Sequence, residues 1–586
     1  MHVIDWLIVT FYCLLTLGVG FWFTKRASTG GLESYFASNR QLPWWLAGTS
    51  MAATALSTDT PLLVTGLVRT KGIWGNWQIW CLAVSTMFAV FFFSKFWKRA
   101  GVLTEVALVE LRYSGKPAAF LRGFKAFYWG VFYNCFIMGA WPVTGLVKIM
   151  QETTGWDKTT SIFFSFGLTA IYCSVSGYWG VIYTDLFQFF WIMAGAIVLS
   201  CFAVHAAGGL PHILSELQGT DKLLFFPPPT PSHDIWSFFA TPLGWVLGLL
   251  TIQWWAWKNT DVGGVIVQRL ISSKNEKQAL YSMLWFNIAQ YALRMIPWIL
   301  TALASLILLP DSALMHGGVV DHERAYPRLV TELLPIGLKG FLIASFFAAF
   351  MSTIDSQLNW GASYFVNDFY KRFIRKEAPD KHYLLVSKIA PFFLAAGACF
   401  VAFHVTSIAG AFQLILSFTA GIGPVYFWRW FWWRINPWSE ISALITSIPV
   451  ILLRPVLYQA FHIEPSLPVD LFTMIFGTAL VWVPVTFLTR PVPHETLRDF
   501  FQKVQPPGFW NGWKRDRQQT GLLDDLLSWV IGTAALFLTT FGSLDFFLGQ
   551  RLQGLIYLLL SGLGWWYVAR KFSFNTIEPS PINPKG

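Results

Sequence analysis

The sequence predicts an all-α polytopic membrane protein. Three observations carry that prediction: apolar windows of membrane-spanning length recur from end to end, charge is scarce, and the scarce basic residues alternate in phase from loop to loop. Of 586 residues, 55% are hydrophobic and 12% charged, about half the ~25% charge of soluble domains. Predominantly apolar windows of about 18 or more residues are the signature of transmembrane helices. The near-continuous pattern argues for one integrated bundle rather than several soluble domains.

In chain order the helix windows are 3–24, 43–68, 73–97, 121–150, 159–177, 179–206, 235–257, 279–309, 337–365, 384–405, 408–433, 439–461, 468–489, 521–541 and 551–571. The first lacks the basic start and small-residue cleavage site of a signal peptide and is expected to be retained. With the N-terminus placed outside, the inside loops collect 31 of the 42 Lys and Arg, the outside loops collect 9, and Arg294 and Lys339 fall within helix windows. Basic residues mark the cytoplasmic side of a membrane protein. The net charge of +11 is therefore read as a basic membrane face in contact with anionic lipid, and a nucleic-acid partner is excluded.

Loops are short except 207–234, 310–336 and 490–520. The first carries Pro227-Pro228-Pro229, a stiff connection. The last carries Pro506-Pro507-Gly508 and reads as a linker before a C-terminal helical hairpin. The six Cys lie in apolar windows without a C-x-x-C, and are expected to be small packing residues. The ten His are scattered, and no catalytic cluster forms at one depth, so the chain is not expected to be an enzyme or to need a cofactor.

Charge inside a membrane is costly and marks function. The intramembrane charges are Asp59, Asp185, Arg294 and Asp355. In window 337–365, Ala349, Ser352 and Thr353 stand at i, i+3 and i+4 and share a face; two hydroxyls and a free carbonyl there suit a hard cation. Helix packing uses the same small residues. The stripe continues through Ser356 and Asn359. Window 43–68 carries Ser50-Met-Ala-Ala-Thr-Ala-Leu-Ser-Thr-Asp-Thr-Pro61, where Pro61 removes the hydrogen bond to the Ser57 carbonyl. A broken membrane helix is tolerated where its carbonyls line a cavity or bind an ion. Asp185, one to two turns inside the cytoplasmic boundary of its window, suits a residue that passes a cation inward.

At these residues the chain resembles the sodium:solute symporter family, which includes sodium/glucose and sodium/proline cotransporters. The resemblance spans roughly residues 33 to 440 and rests on motifs in family order: Glu33 through Trp45; Thr104 through Glu110 with Arg112 and Tyr113, where Ala107 replaces the family's first Glu; Tyr183-Thr184-Asp185 with Gln188; Gln268-Arg269 followed by Ser273-Lys274-Asn275-Glu276; and Leu334-Pro335 through Asn359. It implies a leucine-transporter-like five-plus-five inverted repeat with one extra N-terminal helix and four extra C-terminal helices. The boundaries expected are 1–42 for the N-terminal helix and loop, 43–206 for repeat one, 207–234 for an extracellular loop and 235–433 for repeat two. Accessory helices follow over 434–489, a cytoplasmic linker over 490–520, and the hairpin and tail over 521–586.

Carried over residue by residue, the family's sodium site falls on the carbonyls of Ala53, Leu56 and Ala349 and the hydroxyls of Ser352 and Thr353, and Asp185 matches the residue linked to sodium release. The pocket regions of sugar-carrying relatives match Thr60, Gln78, Trp257, Asn259, Arg294 and Gln413. Gln78 is neutral where sugar carriers share an acid. An Arg294 without a partner favours a carboxylate on the solute. The implied function is sodium-coupled symport of a sugar, amino acid or organic acid by alternating access across the plasma or inner membrane, with Na⁺ as coupling ion. The alternative is a transporter-like solute sensor.

Overall fold

A computed structural model describes residues 1–28, 35–405, 407–510, 512–513 and 521–574. Glu33 and Ser34 of the first motif lie outside the described residues. Among the described residues ten helices are long and apolar enough to cross a membrane, or up to thirteen if each bent pair is one span. The elements used below are α1 Val3–Ser28, α2 Trp44–Ala55, α3 Asp59–Lys71, α4 Ile73–Phe91, α5 Phe93–Ala100 and α6 Gly115–Thr154. They continue with α7 Lys158–Ala206, α8 Pro242–Gln253, α9 Gly264–Ser272, α10 Glu276–Leu308, α11 Leu338–Ile374 and α12 Asp380–His404. The last are α13 Ile408–Ala420, α14 Gly423–Phe431, α15 Pro437–Ala460, α16 Leu467–Leu488, α17 His494–Val504, α18 Leu522–Phe547 and α19 Arg551–Phe574.

Windows 159–177 and 179–206 run as α7, two helical segments that meet at the non-helical Gly177 (φ 57°, ψ −173°), a conformation open to glycine because it has no Cβ. One window takes a different form from the one the sequence predicts. Window 235–257 ends early. The chain unwinds over residues 254–263 and resumes as α9. The segment 258–278, expected as a loop with four basic residues, therefore buries two of them, Lys258 and Arg269, inside the bundle. The 490–520 linker contains a helix of its own, α17. The linker lies against the bundle: Phe509 N–H donates to the Phe431 carbonyl at 2.7 Å, and Arg112 lies over the rings of Phe500 and Trp510.

The helices from 43 to 206 and from 235 to 433 each begin on a broken helix. In the first group α2 and α3 meet at 59°. In the second, α8 and α9 are separated by a stretch with positive φ at Val262 (75°) and Gly263 (64°). Gly264 faces the Trp360 ring with no room for a Cβ, and Gly423, at the bend between α13 and α14, meets the backbone of Ala256 and Trp257 in the same way. The unwound stretch is thus clasped by α11 and by the α13–α14 bend.

Helix ends hold the frame. Asp157 accepts from the N–H groups of Thr159 (2.9 Å) and Thr160 (3.2 Å) and caps α7. Asp5, inside α1, accepts from Gly337 N–H (2.7 Å) and Gly340 N–H (3.0 Å), capping α11 from another helix. At the other end of the bundle, where the basic loops gather, Arg122 bridges Glu110 (2.5 Å) and Asp368 (2.6 Å). Despite partial burial, hydrogen bonds from Arg122 and Arg372 hold the Glu110 carboxyl below its ordinary range. All six cysteines are free thiols.

The shared cap makes a stability prediction. Asp5→Ala leaves two N–H groups at the start of α11 without their acceptor and is expected to cost about 0.5–2 kcal/mol. The measurement is thermal unfolding of the purified protein, where a lower Tm with unchanged sodium affinity is the expected outcome.

Candidate functional site

The break between α2 and α3 begins at Ala55. Leu56 N–H still closes onto the carbonyls of Ala52 (3.0 Å) and Ala53 (2.9 Å). Beyond it the helix cannot continue, because Pro61 has no N–H to return to Ser57. The Ser57 carbonyl is met by Thr60 N–H at 3.2 Å instead. That leaves the Leu56 carbonyl without a helical donor, at a buried position. Pro61 itself sits in the first turn of α3, where proline is tolerated. The open carbonyl is thus Leu56, as the family resemblance implies, and not Ser57.

Helix α11 supplies the other half. Ser352 Oγ stands 3.1 Å from the carbonyl oxygens of both Ala53 and Ala349. Thr353 Oγ1 stands 2.9 Å from the Thr54 carbonyl and 3.1 Å from that of Ala349. The structure therefore brings together Ala53, Ala349, Ser352 and Thr353. It adds the Thr54 carbonyl, which the sequence reading did not name. All are buried or nearly so. A cluster of neutral carbonyl and hydroxyl oxygens matches the ligand preference of a hard cation, and its members come from two helices that nothing in the local sequence joins.

Toward the basic end, this cluster gives way to a charged network. Asp185 of α7 accepts from Ser50 Oγ at 2.5 Å and from Arg269 Nη2 at 3.2 Å. Arg269 of α9 also reaches Ser50 Oγ (3.1 Å), Thr54 Oγ1 (3.3 Å) and Ser356 Oγ (2.5 Å), and Thr54 and Ser356 hydroxyls lie 3.0 Å apart. Beside it, Gln268 Nε2 donates to Asn359 Oδ1 and to the Phe36 carbonyl, each at 2.9 Å. One guanidinium therefore links α2, α7, α9 and α11 directly below the oxygen cluster. Arg269 is visible in the sequence only as part of a motif. The polar run Lys258-Asn259-Thr260-Asp261 hides it by mimicking a loop, and the apolar Val265-Ile266-Val267 and Leu270-Ile271 around it are the signal that the helix resumes.

The residues matched to the solute pocket divide. Thr60, Gln78 and Arg294 are buried. Trp257 and Asn259 lie half-buried in the unwound stretch; Trp257 Nε1 has no hydrogen-bond partner, and Asn259 Oδ1 accepts from Lys258 Nζ at 3.3 Å. Gln413 is exposed on α13 and is not drawn into the interior with the others. Arg294 follows a π-helical turn, Ile288–Leu293, a feature that often marks functional sites. Its Nε donates to the Gln290 carbonyl at 2.9 Å and its Nη1 to the Ala55 carbonyl at the edge of the break. Its guanidinium stacks over Trp298 at 5.2 Å. Among the described residues Gln78 Nε2, both amide atoms of Gln253 and Gln290 Oε1 are buried without partners. Buried polar atoms are nearly always satisfied, so each of these amides is open to a partner such as water or a bound solute.

A profile described as the sodium:solute symporter family matches residues 35–446. The chain is 25% identical over 536 residues to the sodium/glucose cotransporter 4 of Danio rerio, covering 84% of this chain and 80% of that protein. It is 24% identical over 508 residues to the sodium/glucose cotransporter of Vibrio parahaemolyticus, covering 82% and 89%. Its fold is similar to that of a Na⁺-coupled sialic acid symporter in a substrate-bound outward-open state, with a TM-score of 0.69 at 22% identity, over 84% of this chain and 99% of the other.

The Asp185–Arg269 contact yields a prediction about access. Asp185→Asn leaves the buried Arg269 without its counter-charge, which is strongly destabilising for such a pair, and the closed network should loosen. The check is labelling of a Thr54→Cys reporter by a membrane-impermeant maleimide applied from the basic-loop face. Faster labelling in the Asp185→Asn background is expected, and equal rates would show that the network does not close this path.

Proposed function

The chain belongs to the sodium:solute symporter family, and from that premise we propose that it imports a small polar organic solute by sodium-coupled alternating access. The observation that supports this reading is the meeting of α2 and α11 at one oxygen cluster, the carbonyls of Ala53, Thr54 and Ala349 with the Ser352 and Thr353 hydroxyls, to which the Leu56 carbonyl would turn as a further ligand. Sodium seated there draws the two helices together, because the hydroxyls that now bond carbonyls across the gap turn their oxygens to the ion. The broken end of α2 is fixed by the same event, and Arg294, bonded to Ala55, is set in place for the solute. Sodium thereby raises the affinity for solute.

The excess of basic residues on one set of loops supports an orientation with the Asp185–Arg269 network on the cytoplasmic side and the N-terminus outside. In the closed arrangement the network blocks exit below the ion. Release requires Asp185 to give up Arg269 and Ser50, after which its carboxylate lies on the path of the cation departing inward. Solute leaves through the same opening. A potential of 100 mV adds about 2.3 kcal/mol per sodium ion, close to a fifty-fold accumulation before the sodium gradient is counted. The solute belongs among sugars, amino acids and organic acids, and the orphaned amides of Gln78, Gln253 and Gln290 are its polar contacts.

The test is uptake into proteoliposomes loaded with potassium and placed in sodium or in potassium. Accumulation that needs external sodium and is stimulated by an inside-negative potential is the expected result. Ser352→Ala combined with Thr353→Ala should raise the sodium concentration for half-maximal uptake about tenfold or more, in line with about 1–3 kcal/mol for lost buried ligands. Uptake indifferent to sodium, or a double variant with native sodium affinity, would overturn the assignment.

A further inference from the structure

Arg294 and Asp59 are opposite charges beside the same break that do not neutralise each other. Arg294 is 2% exposed. Its two protein acceptors are backbone carbonyls, no carboxylate lies within the 4.0 Å of an ion pair, and its Nη2 meets no acceptor among the described residues. Asp59 is 8% exposed and opens α3 on the far side of the break. Among the described residues its Oδ1 is buried without a donor, and no Lys or Arg lies within ion-pair distance. The two charges interact through space without contact.

Each is anchored where it stands. Arg294 is tied to Ala55 and to the π turn. Asp59 sits in the first turn of α3, where the helix dipole favours a carboxylate. Fixed charges of opposite sign, both unpaired in a membrane interior, leave a costly pair of unmet demands. We propose that the solute is a zwitterion of the α-amino acid class, its carboxylate held by the Arg294 guanidinium and its ammonium by the Asp59 carboxylate. This inference rests on the reading of the chain as a symporter and narrows its substrate.

The choice among solutes follows from charge. A monocarboxylate satisfies Arg294 and is repelled by Asp59; a monoamine does the reverse. A neutral sugar can hydrogen-bond to both but leaves two full charges uncompensated. A zwitterion compensates both and keeps the site neutral. The Gln290 amide oxygen, one turn before Arg294, is likewise buried without a partner.

The experiment is thermal unfolding of the purified full-length protein in sodium or potassium, with three probe sets: the standard amino acids; for each, the acid lacking the amino group and the amine lacking the carboxyl group; and glucose, galactose and mannose. The expected result is that at least one amino acid raises Tm in sodium, with its acid and its amine each binding about tenfold weaker or worse. Asp59→Asn should narrow the gap between amino acid and acid, and Arg294→Gln the gap between amino acid and amine. Sodium alone should still stabilise both variants, which shows that they are folded. The proposal is overturned if a sugar raises Tm while no amino acid does, if an acid without an amino group binds as well as its amino acid, or if no amino acid has an effect. A failure of the symport reading looks different: sodium alone would then not stabilise the wild type over potassium, or would stabilise it and the Ser352→Ala/Thr353→Ala variant equally.

Discussion

In hydrocarbon every backbone N–H and C=O must find its partner within the protein. The three-residue gap between Ala55 and Asp59 is where this chain departs from that rule, and much of the structure exists to contain the departure. The Ser57 carbonyl is recovered by Thr60, those of Ala53 and Thr54 are met by hydroxyls from α11, and that of Ala55 is met by Arg294. Among these carbonyls that of Leu56 is left without a helical donor. The interruption is therefore specific, and the supports around it come from α10 and α11, far away in the sequence.

The second constraint is buried charge. Toward the basic end the chain holds Asp185–Arg269, Lys258–Glu105 at 3.5 Å, Lys125–Glu440 at 2.9 Å and Asp261–Arg429 at 2.6 Å, nearly all below reach of solvent. Buried pairs gain little net stability over apolar packing, yet breaking one is expensive. They are better understood as registration. Asp261 lies in the unwound stretch between α8 and α9 and is held by Arg429 and by the indole of Trp430 at 2.8 Å. Glu105 joins the loop before α6 to Tyr364 of α11 at 2.8 Å. These contacts fix irregular backbone to regular helices at the level where the bundle is closed.

How far the sequence could be read follows from the same physics. Pro61 amid hydroxyl residues announces a break because proline acts locally, and the spacing of Ala349, Ser352 and Thr353 is legible because helical periodicity is local too. Their meeting is not local and rested on family resemblance. The break between α8 and α9 went unread: its polar residues and two glycines look like a surface loop, and only tertiary packing against Trp360 and the α13–α14 bend shows that they are interior. The α17 helix was missed because it is short and amphipathic rather than apolar. Gln413 is matched by position alone, since which face of α13 turns inward is not written in the local sequence.

The C-terminal hairpin is more than an appendage. Trp529 of α18 donates its indole N–H to the Val84 carbonyl at 3.0 Å, and Thr540 its hydroxyl to the Tyr291 carbonyl at 3.2 Å, while Phe537 and Phe541 pack on Trp77. It grips α4 and α10, and its other face presents Leu523, Leu552, Leu563 and Trp566 outward. When α4 and α10 tilt, the hairpin must travel with them through the surrounding acyl chains. Built this way it would act as a keel, coupling any movement of α4 and α10 to the viscosity and thickness of the lipid around its outer face.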